Sequence, residues 1–487
     1  MALGPREDAA ALPVYRAVTD DAGKFLIEGI ASGSYLLSAK RAGFIPGLFG
    51  ARGQNKVGIQ LTLNQGEVVR GIKVFLTPQA EVSGRVVDED GEPTAGVLVA
   101  AVAWAGPLSQ LEAARFARPQ ATSATDDRGE YRLSGIAPGK FVLCVVPPLE
   151  LRSTIVEKDG GRLGYVPFYA PDTLLLEQAS LLDVAPGSVV SGNQITLFRT
   201  DVSRVSGQVV DATGRPVRDY SLLALPAQNR SPLVAPILLT RGPEGKFSLD
   251  GMPPGSYHVL IRAQHAQQEV GALEQLDLGR GPIEDFRVAV LPTLQVRGRF
   301  IVDGRFTAPP PGLAVTLTGD PPLPPITAYP DESGAFELSG LFSGTYRVTI
   351  GGLKLHYLED IYLGEQTILG QSFQLANSAS QMLVRLASGG GHVSGTLTKE
   401  GEAVAGSLCL IPTAGHLRVW PLIRQALADQ RSLFEFSHVR PGSYYLLSTS
   451  TARCDSLISL EALDAKSVKR IDISTGSTEK VELNHEE

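Results

Sequence analysis

Cysteine is nearly absent from this 487-residue chain: there are three, at positions 144, 409 and 454. Three cysteines in so long a chain exclude a disulfide-stapled scaffold. Cys144 in "KFVLCVV" and Cys409 in "GSLCLIP" lie in strand-like runs and read as small buried hydrophobes. Cys454 lies in polar "TARCDS" and reads as exposed; a Cys409–Cys454 pair is open, because spacing alone does not fix connectivity. No apolar run approaches the length needed to span a bilayer. Positive charge is not in excess either, since 44 Lys and Arg against 51 Asp and Glu leave a net charge of −7. That balance, with the basic residues scattered, argues against a nucleic-acid partner held through phosphates. Also missing are a Gly-x-Ser-x-Gly elbow, a phosphate loop and a dinucleotide fingerprint.

What the chain has in quantity is punctuation. Its 52 glycines and 33 prolines suit many short strands. One phrase returns five times: Asp-x-x-Gly-x-Phe-x-Leu-x-Gly-Ile-x-Pro-Gly-x-Tyr-x-Leu, with variations. Its first glycine falls at Gly23, Gly129, Gly245 and Gly334, with Ser432 in the fifth copy. Two residues on stand Phe25, Tyr131, Phe247, Phe336 and Phe434, and twelve on Tyr35, Phe141, Tyr257, Tyr346 and Tyr444. The copies are 106, 116, 89 and 98 residues apart, so the repeat is a whole small domain and not a solenoid turn.

Each copy encodes strand, corner, strand. Asp20, Asp126, Asp331 and Asp429, three residues before the first turn position, are placed to accept backbone hydrogen bonds while the glycine supplies positive φ. Apolar residues at +2 and +4 share one face of a strand, which predicts that the five aromatics at +2 are buried at equivalent positions. A half-buried pair of strands does not stand alone. Partners are legible upstream in copies two to five, as opening strands with their own glycine: "EVSGRVVDEDGEP" with Gly84, "RVSGQVVDATGRP" with Gly207, "VRGRFIVDGRF" with Gly298 and "HVSGTLTKEGEAV" with Gly395. Downstream, "GEVVRGIKVFL", "GSVVSGNQITL" and "GSTEKVEL" read as closing strands. The expected fold class is all-β: a tandem array of about five antiparallel, seven-stranded Ig-like or prealbumin-like sandwiches, with few short helices in insertions. The modules fall at 1–80, 81–203, 204–295, 296–390 and 391–487, forming an elongated rod or a bent chain of beads.

The pairing of "SGRVVDEDGEP" with "TDDRGEYRLSGIAPGKF" resembles the carboxypeptidase regulatory-like module, a transthyretin-like sandwich repeated in bacterial envelope proteins and akin to carbohydrate-binding-like sandwiches. The likeness is strongest in the second module and weakest in the fifth, where Ser432 and His438 stand for glycines. It implies a non-enzymatic bacterial protein of the cell envelope or exterior, acting as a binding or adhesion scaffold or as a spacer. Its implied partners are a polysaccharide or another envelope protein. A further reading makes the chain a fragment of a larger receptor or enzyme whose working domain lies elsewhere.

Module one has only 22 residues before Gly23, whereas its siblings place an opening glycine 36 to 45 residues ahead of theirs. Its opening strand and hairpin are therefore missing, and the chain reads as amino-terminally shortened, with no secretory signal in "MALGPREDAAALP".

Candidate sites are few. His356 and Glu359 have the spacing of a zinc-peptidase pair, yet residues three apart on a strand face opposite ways, so no catalytic, metal or cofactor residue is assigned. The acidic turns Asp88-Glu89-Asp90 and Asp126-Asp127 lack EF-hand spacing, and turn initiation accounts for them without calcium. Module two carries a helix candidate at 107–117 and a Pro-rich loop with Tyr165, Phe168 and Tyr169. Those rings, with Asp172 for hydroxyl groups, are what a sugar-stacking platform would use; the alternative is that they plug the sandwich or its contact with a neighbour. Trp104 and Trp420 are too sparse to extend a platform.

Overall fold

The turn aspartates work as their spacing predicts. In the computed structural model, one carboxylate oxygen of Asp20 accepts from the amides of Ala22 and Lys24 at 3.0 and 2.7 Å. Asp126, Asp331 and Asp429 repeat this at +2 and +4, with every distance between 2.8 and 3.0 Å. The hairpin turns begun by Asp88 and Asp211 use the same device. With its oxygen taken by two amides, each carboxylate closes a turn. The structure describes residues 2–5, 14–51, 58–104, 119–158, 160–227, 237–240, 243–265, 267–305, 309–321, 323–376, 381–399, 402–404, 406–449, 454 and 468–485. The helix expected at 107–117 lies outside them.

Each of the four later units is two sheets facing one another. In the second, the opening strand Ala80–Val87 is central to a sheet, antiparallel to Glu130–Ile136 and parallel to the closing strand Val189–Thr196. The other sheet sets Leu98–Ala103 against Gly139–Val146, with Ala121–Ala124 outside the former. The same plan recurs around the opening strands Ser203–Val210, Leu294–Val302 and Gly391–Lys399. The all-β tandem expectation holds, with one refinement: most pairs are antiparallel, but opening and closing strands run parallel. Alternation of apolar residues reports which face a strand buries and is silent on its direction.

The +2 aromatics have a specific task. Tyr131, Phe247, Phe336 and Phe434 pair directly with Gly84, Gly207, Gly298 and Gly395, and each is 2 to 7% exposed. A side chain on those glycines would strike the aromatic ring or its hydroxyl on one strand and a carbonyl oxygen of the closing strand on the other. Glycine is thus required by close approach of ring and backbone.

The aromatic at +12 anchors the corner. Tyr35, Tyr257, Tyr346 and Tyr444 donate their hydroxyls to the carbonyls of Ala31, Pro253, Phe342 and Arg440, each four residues upstream, at 2.6 to 3.0 Å. Phe141 fills the position in unit two without such a bond. In the fifth copy Ser432 and His438 keep the left-handed backbone of the glycines they replace, at φ of 62° and 55°.

Unit one departs from the plan. Its second sheet is present: Ala2–Pro5 lies against Gly33–Ala39, flanked by Tyr15–Arg16, with Gln60–Leu63 on the far side. Pro5 opposite Tyr35 repeats the register of Pro226 opposite Tyr257 and Pro412 opposite Tyr444. The second half of the expected hairpin is therefore present, and among the described residues no opening strand stands beside it. The two stretches that would flank it, Lys24–Ile30 and Val68–Leu76, form no strand. Phe25, expected to be buried, is only half-buried, because among the described residues no glycine strand lies across its ring.

Candidate functional site

The aromatic loop of unit two is interior. Tyr165, Phe168 and Tyr169 are 4, 1 and 0% exposed. The hairpin ending at Tyr165 pairs with the exit strand Arg199–Asp201, the Arg199 guanidinium lies 4.4 Å from the Tyr165 ring centre, and Phe168 meets Phe198 edge-on at 4.8 Å. The rings hold the segment that leads into unit three and present no open face to a sugar. Asp172 is exposed and stands without a platform beside it. Of the two readings the structure favours the plug over the sugar-stacking platform: the linker residues that cover these rings come after the loop in sequence and carry no spacing signal that ties them to it.

Among the described residues, reactive groups do not converge. Glu359 turns to Arg385 at 3.2 Å, and His356 keeps a buried Nδ1 with no hydrogen-bond partner among the described residues. Among the described residues no cluster of three His, Cys, Asp or Glu is placed to hold a metal ion. Cys454 is 1% exposed and joined to Cys409 in a disulfide, which corrects its reading as a surface residue; its polar neighbours in sequence do not report the partner 45 residues away. Cys144 is buried and takes no part in the disulfide.

What the geometry does assemble is a set of junctions. Between units two and three, Asp250 is gripped by Arg162 at 2.8 Å and Arg204 at 2.7 Å. Burial alone would raise this carboxyl, but hydrogen bonds from the two arginines and the Gly251 amide override it and bring the pKa down to about 2. Between units three and four, Leu260 of the long hairpin packs with Leu323 and Phe342. The Phe342 ring also lies 5.1 Å beneath Arg262. Gly271 is needed there, since a side chain would come within 2.8 Å of that ring. Between units four and five, Leu422 enters the core of unit four, flanked by Leu417 and Val419.

The last junction joins the ends of the array. The Thr62 amide donates to Gln430 Oε1 at 3.0 Å, and Gln430 Nε2 donates back to the Thr62 carbonyl at 2.7 Å. Gln60 makes a parallel bridge to Asp429, and Arg431 pairs with Glu67. The Glu67 carboxyl is held below its usual range, first by the Asn64 amide and then by Arg431. The series therefore curls until its first unit meets its fifth, which a straight rod does not do. A cleft of about 940 Å³ lies at this meeting, lined by Thr62 on one side, Arg424, Asp429 and Lys480 on the other, and Lys354 of unit four. These junction contacts were outside the reach of sequence reasoning. The repeat signals what each unit shares, whereas junction residues lie where the units differ.

No protein-family profile matches the sequence, and no curated protein matches it. Among solved structures the chain is similar to the Bacillus anthracis TIE protein, at 8% identity over 94% of this chain and 76% of that one, with a TM-score of 0.17. It is also similar to a streptococcal ancillary pilin, at 14% identity over 57% and 80%, with a TM-score of 0.22. BcpA, the major pilin subunit of Bacillus cereus, is matched at 10% identity over 83% and 99%, with a TM-score of 0.16. Scores this low carry no weight for arrangement or role.

Proposed function

We propose that the chain is a non-enzymatic scaffold of the cell envelope or exterior, built of five sandwich units at 1–80, 81–203, 204–295, 296–390 and 391–487. In this reading the units, which resemble the carboxypeptidase regulatory-like module, act through their surfaces and mutual placement, and the partner is another envelope protein. The observation that carries it is the pattern of specific contact: charged, aromatic and aliphatic side chains among the described residues serve unit-to-unit junctions. The Cys409–Cys454 disulfide supports an oxidising compartment.

The test is accessibility on intact cells. A membrane-impermeant amine reagent should label the protein before lysis, and the protein recovered without reductant should carry the Cys409–Cys454 bond. Labelling only after lysis, with both thiols reduced, would overturn the reading.

A further inference from the structure

In units two to four the corner of the repeat looks onto the unit before it. The corner position, six residues after the turn position, is Gly135, Gly251 or Gly340. A side chain on Gly135 would meet Gln79, and one on Gly251 would meet the Arg152 carbonyl and Ile155 of unit two. One on Gly340 would strike the Arg262–Glu269 pair of unit three. Unit five carries His438 at this position, and it keeps the left-handed backbone, at φ of 55°, that suits glycine. An imidazole is thus held, against local preference, at a repeat position that faces the neighbouring unit.

The junction around His438 is close-packed. Gly390, in the connection from unit four, leaves no room for a side chain, which would come within 2.8 Å of the His438 carbonyl carbon and 2.9 Å of the Tyr357 ring of unit four. The same connection is tied down where the Ser388 amide donates to Asp303 at 2.8 Å. Arg440 Nε donates to the Glu359 carbonyl at 3.3 Å. Leu422, buried in the core of unit four with Leu417 and Val419 beside it, joins the two units by a contact that carries no charge.

Histidine gathers at this junction. His356 of unit four and His392 of unit five both lie within electrostatic reach of His438. His356 is half-buried, and its buried Nδ1 has no hydrogen-bond partner among the described residues. From unit five, the Arg424 guanidinium donates to the His438 and Ser437 carbonyls at 3.3 and 3.2 Å, and Glu435 stands 3.5 Å from His392. From unit four come Asp303, held low chiefly by hydrogen bonds from Ser388 and close to His356 and Arg305, and Glu359, paired with Arg385. Tyr357, which burial raises, and Lys354, on the cleft wall with Arg424 and Glu435, complete the unit-four side.

Arg424, His392 and Glu435 belong to unit five and stay with His438 if the units part. Parting removes the burial that unit four supplies and the His356 imidazole. Burial is the first cause that lowers the His438 pKa, followed by Arg424, His356 and His392, against a weaker opposing pull from Glu435. A parted unit five therefore takes the proton more readily than a docked one. Docking is fully favoured above the usual imidazole range and weakens as the pH falls through that range to the lowered value. We propose that the corner of unit five is a proton-operated hinge: charging the imidazoles that His438 and His356 bring to the junction loosens the docking of units four and five. Leu422 stays lodged in unit four as the pivot, and the cleft beside Lys354 and Arg424 widens.

The test places one nitroxide on each unit of the intact chain, through Glu365→Cys and Arg470→Cys at exposed positions. Pulsed electron paramagnetic resonance then reads the distance between them from about pH 8 to about pH 5, the range in which histidine changes charge. A longer, broader population is expected to grow as the pH falls. His438→Gly, which restores the residue of the sister corners, and His356→Gln should each reduce that population, and together they should abolish it. By nuclear magnetic resonance of labelled histidines, the His438 ring should take its proton at higher pH in His356→Gln than in the unaltered chain. A distance indifferent to pH, acid lengthening undiminished in either variant, or a His438 titration unmoved by His356→Gln would overturn the hinge. These readings are made on the purified chain, so their outcome is independent of the labelling on intact cells that tests the scaffold reading.

Discussion

One substitution, tyrosine to phenylalanine, has opposite consequences at two positions of the repeat. The Tyr257 hydroxyl donates to the Pro253 carbonyl at 2.6 Å, so Tyr257→Phe should lower the stability of unit three by about 1–2 kcal/mol. The Tyr131 hydroxyl is buried without a partner among the described residues, and burial raises its pKa to about 12. Phenylalanine stands there in the four other copies, and Tyr131→Phe should stabilise unit two by about 1–3 kcal/mol. Opposite shifts of the denaturant midpoint check the pair. His438 adds a pH dependence. Burial, then Arg424, His356 and His392, lower its pKa against the weaker opposing pull of Glu435. The unfolded state therefore takes the proton more readily, so stability is present above the usual imidazole range and is lost as the pH falls through the folded value. His438→Asn, which tolerates the left-handed backbone, should flatten that slope as the pH falls below the usual imidazole range in pH-resolved denaturation.

At the level of strands and turns, the disulfide makes the most direct prediction. It closes a loop between residues 45 apart, so reduction should destabilise unit five by up to about 4 kcal/mol on the chain-entropy account. Equilibrium unfolding with and without reductant measures this, and Cys454→Ser should match the reduced protein. The repeat itself was legible because its signals are local: an aspartate and a glycine three apart close a turn, and aromatics two apart share a face. Phe25 was misjudged because its burial depends on a strand from outside its own phrase. Parallel pairing of Ala80–Val87 with Val189–Thr196 was not legible, because alternation has no direction. The Tyr165, Phe168 and Tyr169 loop stayed open between platform and plug for a related reason. A ring on a Pro-rich loop has the same pattern whether it faces water or, as here, Phe198 and Arg199.

Across the whole molecule, the contact between first and last units is a polar clasp of modest strength. Exposed ion pairs contribute about 1 kcal/mol or less, so Arg431→Glu with Gln430→Ala should shift the chain from closed toward open and raise the radius of gyration in solution scattering. Acid should do the same. The Glu67 carboxyl is held low by the Asn64 amide and Arg431, so its contribution is present above the usual carboxylate range and disappears as pH falls through the lowered value. A scattering profile unchanged by both treatments would contradict the closed arrangement. The clasp also sets how the chain answers a pull. Tension applied between unit one and unit five meets the Thr62–Gln430 bonds first, and the three middle units carry no load until those bonds part. Once they do, the slack held in the curl is released while every sandwich stays folded, and the molecule lengthens under force at a contact that can close again.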